Sequence, residues 1–284
     1  MTISVIGKKK QVKKSFEELL ADLTTSSSEK VRYNAARVLG EMGDSKAVEP
    51  LIDVLRNDKN GSVRLYAARA LGELGDSKAT EYLIESLRED RNVDVRVRAA
   101  RALGRLGGKI VVEPLVEALN DENPQVCITA TDALIEIGDV TTDALIASLT
   151  HEKVNVRCDA TRALGEIGNK KAVDHVIKML YDEWVNVRIY AVTSLGKLND
   201  TKAVPALIDV MKNHTENELV RAGAAAALGV LRDQRALLPL RELIMEAEEL
   251  GELEDTALKS FKKIMAANWQ SIPGASIQKK AATV

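Results

Sequence analysis

Apolar residues along this chain recur at helical spacing, in a pattern that restarts about every thirty residues. Val31, Ala35, Val38, Leu39 and Met42 stand at i, i+4, i+7, i+8 and i+11, one face of a helix. Gly43 predicts its stop, and Asp44 predicts a cap for a second helix. Ala47, Val48, Leu51, Ile52 and Leu55 form the apolar stripe of that second helix. The frame Val-Arg-x-x-Ala-Ala-x-x-Leu-Gly-x-x-Gly-Asp-x-x-Ala-Val-x-x-Leu-Ile-x-x-Leu starts clearly at Val31, Val63 and Val95. With substitutions it starts again at Val126, Val156, Val187 and Val220, at intervals of 32, 32, 31, 30, 31 and 33 residues. Self-similarity at such a period marks stacked helical hairpins.

One hairpin cannot fold alone. Ordering ~31 residues costs on the order of 45 kcal/mol, more than a single hairpin's burial can offset. Stacking supplies the missing burial, so residues 15–268 are expected to form a single repeat solenoid. The Leu-Gly glycines (Gly40, Gly72, Gly104, Gly165, Gly196, Gly229) fall inside first helices, where glycine costs ~1 kcal/mol against alanine. Close approach of a neighbouring helix explains them. Ile135 stands there in the fourth copy and predicts a wider crossing. Residues 15–23 and 252–268 predict amphipathic helices that close the two ends, and Asn123-Pro124 predicts a cap followed by proline in the first turn. Residues 1–14, with Lys8, Lys9, Lys10, Lys13 and Lys14, read as a basic solvated tail, and 269–284 as a second tail.

Composition narrows the chemistry. Apolar residues make up 45% of the 284, but aromatics only 3%, which suits closely packed helices. Forty basic residues face 42 acidic ones, so no global field favours nucleic acid. Cys127 and Cys158 are too few for a disulfide framework and too dispersed for a zinc site, and read as packing residues. No apolar run approaches a membrane span and no signal peptide is legible, so the expectation is a cytoplasmic protein.

Gly-Asp-Ser-Lys-Ala-Val-Glu-Pro-Leu-Ile at 43–52 and Val-Arg-Leu-Tyr-Ala-Ala-Arg-Ala-Leu-Gly-Glu-Leu-Gly-Asp at 63–76 resemble HEAT repeats of the phycobilisome-lyase-like subgroup. The resemblance covers about residues 15–268. It implies an all-α, right-handed solenoid of about seven to eight helical hairpins with capping helices at both ends. It does not select a function, because the subgroup spans lyase subunits, a hydroxylase, glycosylases and adaptors.

Arginine follows the phasing valine at Arg32, Arg64, Arg96, Arg157, Arg188 and Arg221. A phosphate-binding ridge is one reading. A structural ladder with the Gly-Asp aspartates (Asp44, Asp76, Asp139) is preferred, and HEAT proteins resemble this. Arg37, Arg69 and Arg162 have Glu41, Glu73 and Glu166 four residues on, as surface pairs do; Arg101 lacks such a glutamate. In second helices the third position reads Glu49, Glu81, Glu113, Asp143 and Asp174, and Asp53, Glu85 and Glu117 follow four residues later. The resemblance puts these helices on the concave side. Such a row is either a solvated face or a docking ribbon for a basic or mixed-charge protein segment, with Tyr82, Val54, His175, Met179 and Val210 as flanking contacts.

Catalytic signals are sparse. Of three histidines only His151 has an adjacent glutamate, and one His-Glu pair cannot build the di-iron centre of deoxyhypusine hydroxylase-like proteins. No phosphate loop, nucleophile elbow or His-Glu-x-x-His helix occurs. The expectation is therefore a non-catalytic scaffold or adaptor without cofactor or metal, binding a protein and neither nucleic acid nor membrane. The alternative is a subunit of a phycobilin lyase or isomerase, for which no catalytic residue can be carried over.

Overall fold

The computed structural model describes residues 14–246 and 251–269, all α-helix, 3-10 turn or loop. A capping box between Ser15 and Glu18 starts α1 (Phe16–Thr25). Then come first helices of equal length: α2 (Glu29–Met42), α4 (Gly61–Leu74), α6 (Val93–Leu106), α8 (Pro124–Ile137), α10 (Val154–Ile167), α12 (Val185–Leu198) and α14 (Glu218–Leu231). Between them run shorter second helices: α3 (Val48–Asn57), α5 (Thr80–Glu89), α7 (Val112–Glu117), α9 (Thr142–Ser148), α11 (Val173–Met179), α13 (Val204–Lys212) and α15 (Leu237–Glu246). The last described helix is α16 (Glu252–Trp269).

The punctuation is local. Gly43 takes a left-handed conformation at φ 72°, where a Cβ would strain the backbone. Asp44 then accepts a hydrogen bond from the Lys46 N–H and starts a 3-10 turn that leads into α3. Asn123 accepts from the Gln125 N–H ahead of α8, with Pro124 in the first turn.

Contacts divide the chain into two compact units, one ending at Leu106 and one beginning at Gly107. In the first, α2, α4 and α6 pack side by side, while α1, α3 and α5 form the second layer. In the second unit α8, α10, α12, α14 and α16 form one layer, with α7, α9, α11, α13 and α15 against them. Within its own unit, α1 stands where a second helix would, and α16 stands where a first helix would. The stripes Ala35, Leu39, Val63, Leu71, Val95 and Leu103 fill the first core. Met42, assigned to that stripe by spacing, is instead 47% exposed, because α2 ends there and turns away. The N-terminal lysines Lys8, Lys9, Lys10 and Lys13 lie outside the described residues, as do 270–284; Lys14 pairs with Asp22 on α1.

The recurrent glycine marks where first helices touch. A Cβ on Gly72 would stand 2.7 Å from the Ala102 Cβ on α6, and one on Gly40 2.8 Å from Ala70 on α4. At Gly165 and Gly229 the neighbours are Ser194 and Ser260, again too close for a methyl group. Helix propensity loses to helix approach at these points. Gly196 differs: Ala227 is 3.5 Å away, ordinary contact distance. α8 and α10, the pair whose first helix carries Ile135 at the glycine position, meet more sparsely than α2 and α4 do. Gly72→Ala is accordingly expected to lower stability by about 1–3 kcal/mol through overpacking. Gly196→Ala should be neutral or raise it by up to ~1 kcal/mol, since helix propensity improves without a clash. Urea denaturation followed by circular dichroism separates them; equal losses at both sites would refute the close-approach account.

Candidate interaction surface and the arginine ladder

The arginines after the phasing valines do form a ladder, with different partners from those expected. Arg32 donates from Nε to Asp58 at 2.6 Å and from Nη2 at 3.0 Å; Arg64 does the same to Asp90 at 2.7 Å and 2.7 Å. Arg157 holds Asp182 at 2.8 Å and 3.0 Å. The third guanidinium nitrogen donates backwards to the carbonyl six residues earlier: Arg64 to Asp58, Arg96 to Asp90 and Arg188 to Asp182. One aspartate therefore takes an arginine of its own copy on its carboxylate and the next copy's arginine on its carbonyl.

Asp44 and Asp76 are not in this ladder; each caps its 3-10 turn, and Asp139 accepts from Asn169. The reason is length. Arg32 lies in the first turn of α2 and Asp44 beyond its last, roughly 18 Å apart at 1.5 Å per residue. The true acids, Asp58, Asp90 and Asp182, stand five residues before the next phasing valine, a recurrence legible in the sequence.

Three copies depart from the rule. In the fourth, Cys127 replaces the arginine and His151 occupies the acid's position, so both halves of the rung change together. Cys127 keeps the backward contact, its Sγ lying 3.2 Å from the Asp121 carbonyl, and His151 Nδ1 accepts from the Lys153 N–H, as Asp182 does from Trp184. Both cysteines are buried thiols outside any disulfide; burial pushes Cys158 up to about 11 and Cys127 in the same direction. Before the seventh copy the 33-residue interval moves the acid one position along, to Glu216, which reaches Arg188 Nη2 at 2.8 Å and leaves buried Arg188 Nε without a partner. In the seventh copy Arg221 Nε donates to the Met211 carbonyl, ten residues earlier, at 3.0 Å.

The surface pairs are Arg37–Glu41 at 2.6 Å and Arg69–Glu73 at 2.8 Å, as spacing predicts. Arg162 instead reaches back to Asp132, and Glu166 meets Lys197.

The second-helix carboxylates Glu49, Asp53, Glu81, Glu85, Glu113, Glu117, Asp143 and Asp174 are all exposed. The row is partly neutralised from the following copy's 3-10 turn: Lys78 meets Glu49 at 3.4 Å, Lys171 meets Asp143 at 2.5 Å and Lys202 meets Asp174 at 2.6 Å. At the matching turn positions after Glu81 and Glu113 the sequence carries Ile110 and Val140. Among the described residues neither glutamate has an ion-pair partner. Tyr82 lies beneath Arg56, whose guanidinium carbon is 5.3 Å from the ring centroid, and Arg56 also approaches Glu85 at 3.7 Å. Val54 and Val210 are buried and cannot flank a docking ribbon.

The family model for HEAT repeats matches residues 16–103, 80–147, 112–187 and 176–255. The chain belongs to the HEAT-repeat family. Among solved structures it is similar to the CpcE–CpcF phycocyanin lyase complex from Nostoc sp. PCC7120, at 24% identity over 93% of this chain and all of that one, with a TM-score of 0.47. It is also similar to human deoxyhypusine hydroxylase, at 21% identity over 88% of this chain and 96% of that one, with a TM-score of 0.41. To the karyopherin Kap121p it is 14% identical over 90% of this chain and 35% of that one, with a TM-score of 0.66, a likeness of solenoid fold. No curated protein matches it by sequence. No helix among the described residues is long and apolar enough to cross a membrane.

The ladder makes stability pH-dependent. Burial alone would raise the Asp182 carboxyl, but hydrogen bonds from Arg157 and the Trp184 N–H outweigh it and hold it below the usual range; Asp58 is held down likewise by Arg32 and Asn60. Each depressed carboxyl therefore contributes stability above the unfolded-state pKa of about 3.9, lost as pH falls through the folded value. Asp182→Asn should cost about 3 kcal/mol at pH 7 by taking the bidentate carboxylate from buried Arg157, which then keeps only exposed Glu183, at 3.5 Å, as an ionic partner. The cost should shrink below about pH 4, and Arg157→Met with Asp182→Leu should cost less than the single change. Denaturation series at pH 7 and about pH 3.5 measure this; an equal cost at both would exclude the ionised pair as its source.

Proposed function

We propose that the chain is a non-catalytic scaffold holding a basic or mixed-charge segment of a partner protein along its second helices, the side that HEAT arrays turn inward. The observation carrying this reading is incomplete neutralisation of an exposed acidic row: Glu49, Asp143 and Asp174 have lysines across the turn, whereas Glu81 and Glu113 have none. A ladder pair is consumed by the fold, but an exposed unpaired carboxylate remains available to an incoming cation. The field of such a row acts mainly on encounter and register, and more weakly on raw affinity. Tyr82, under Arg56, contributes less than its exposed neighbours, since a partner must first displace that cation.

The alternative, a phycobilin lyase subunit, rests on repeat grammar alone, and no residue of this chain is assigned a chemical step. The scaffold reading is tested with a fluorescent Lys/Arg-rich peptide and the intact chain in anisotropy titrations. Changing Glu81, Glu85, Glu113 and Glu117 to Lys should weaken binding roughly tenfold or more at low salt, with the helical signal unchanged. Equal affinity for both proteins would remove the acidic row as a docking site.

A further inference from the structure

The first helices of the amino-terminal unit carry the opposite charge in concentrated form. In copies one and two the surface arginine is answered within its own helix, by Glu41 and Glu73. In copy three the residue four positions after Arg101 is Arg105. With Arg98 these stand at i, i+3 and i+7 on α6, a single face spanning about 10 Å at 1.5 Å per residue. Among the described residues none of the three has an ion-pair partner. Arg69, on neighbouring α4, completes the set, and the four arginines with Glu73 line a cleft of about 180 Å³. Its floor is the close Gly72–Ala102 contact, so the α4 and α6 backbones approach there and the long side chains stand as walls.

Like charges brought together on a rigid surface are unfavourable by a few tenths of a kcal/mol per pair. Among the described residues the fold gains no ion pair from Arg98, Arg101 or Arg105, unlike the buried ladder arginines. Guanidinium groups hold planar forks of donors suited to carboxylate and phosphoryl oxygens. We infer that this cleft is an oxyanion-binding site for an acidic or phosphorylated segment of a partner protein. A nucleic acid fits less well, because it wants aromatic stacking platforms. No ring lines the cleft, and the nearby Tyr33 and Tyr66 rings stack on each other at 5.2 Å between centroids. The site lies on first helices and stands independently of the acidic second-helix row.

The variant Arg105→Glu gives Arg101 the in-helix partner that Arg37 and Arg69 already have, so the fold should hold. Titrations of the intact chain would use three labelled probes of equal length: one of alternating aspartate and phosphoserine, one of aspartate and serine, and a single-stranded oligonucleotide. Expected is binding of at least one acidic peptide, weakened roughly tenfold or more by Arg105→Glu and again by Arg101→Gln, and unchanged by Glu81→Lys. Tighter binding of the phosphorylated probe assigns the phosphoryl group, and equal binding assigns carboxylates; both support the site. Failure of the intact chain to bind either peptide, equal binding by Arg105→Glu, or a preference for the oligonucleotide would overturn it.

Discussion

A guanidinium with two duties organises this molecule. A ladder arginine such as Arg64 grips a carboxylate at the end of its own hairpin and a carbonyl at the end of the hairpin before. Hydrophobic stripes make helices stick, but sliding along a smooth alanine- and leucine-lined interface costs them little. The directional, charge-assisted bonds forbid that slide, since a shift of one residue would strand a buried charge. Desolvation takes back much of the electrostatic gain, so the ladder acts chiefly on register, and packing supplies the bulk of the stability.

The glycines work across the same interfaces in a complementary way. Where Gly72 meets Ala102 or Gly165 meets Ser194, the absence of one carbon sets how near two first helices can come. Bulk sets separation and the ladder sets register, so local errors can be partly absorbed. In copy four, Ile135 takes the glycine's place and Cys127 with His151 removes the ionic rung, yet the helices still stack and the backward thiol contact remains. Paired loss is tolerable where single loss would not be, because neither partner is left charged and buried.

Most of the architecture was readable from spacing alone: the hairpins, the closing helices, the purpose of the glycines. The ladder's acids were not, and the cause is instructive. Asp44 draws the eye because it follows the consensus glycine, but it sits a full helix length from Arg32; Asp58 looks like an ordinary loop residue and is 26 positions away. Rise per residue would have excluded the first, and recurrence five places before each valine points to the second. The carboxylates of the acidic row are exposed on second helices, and their lysine counterions come from the following copy, which no single-repeat reading reveals. The arginine triplet was visible as a missing glutamate at 105, although its cleft depends on how α4 and α6 approach.

The ladder also bears on how such a chain can grow. Arg64 and the aspartate that answers it both lie within one repeat length, and the backward bond asks only for a main-chain carbonyl, which any residue supplies. A tandem duplication of one repeat therefore arrives with its rung complete at both joints. Lengthening the array requires no matching change elsewhere, so genetic copying and structural fit share the same unit.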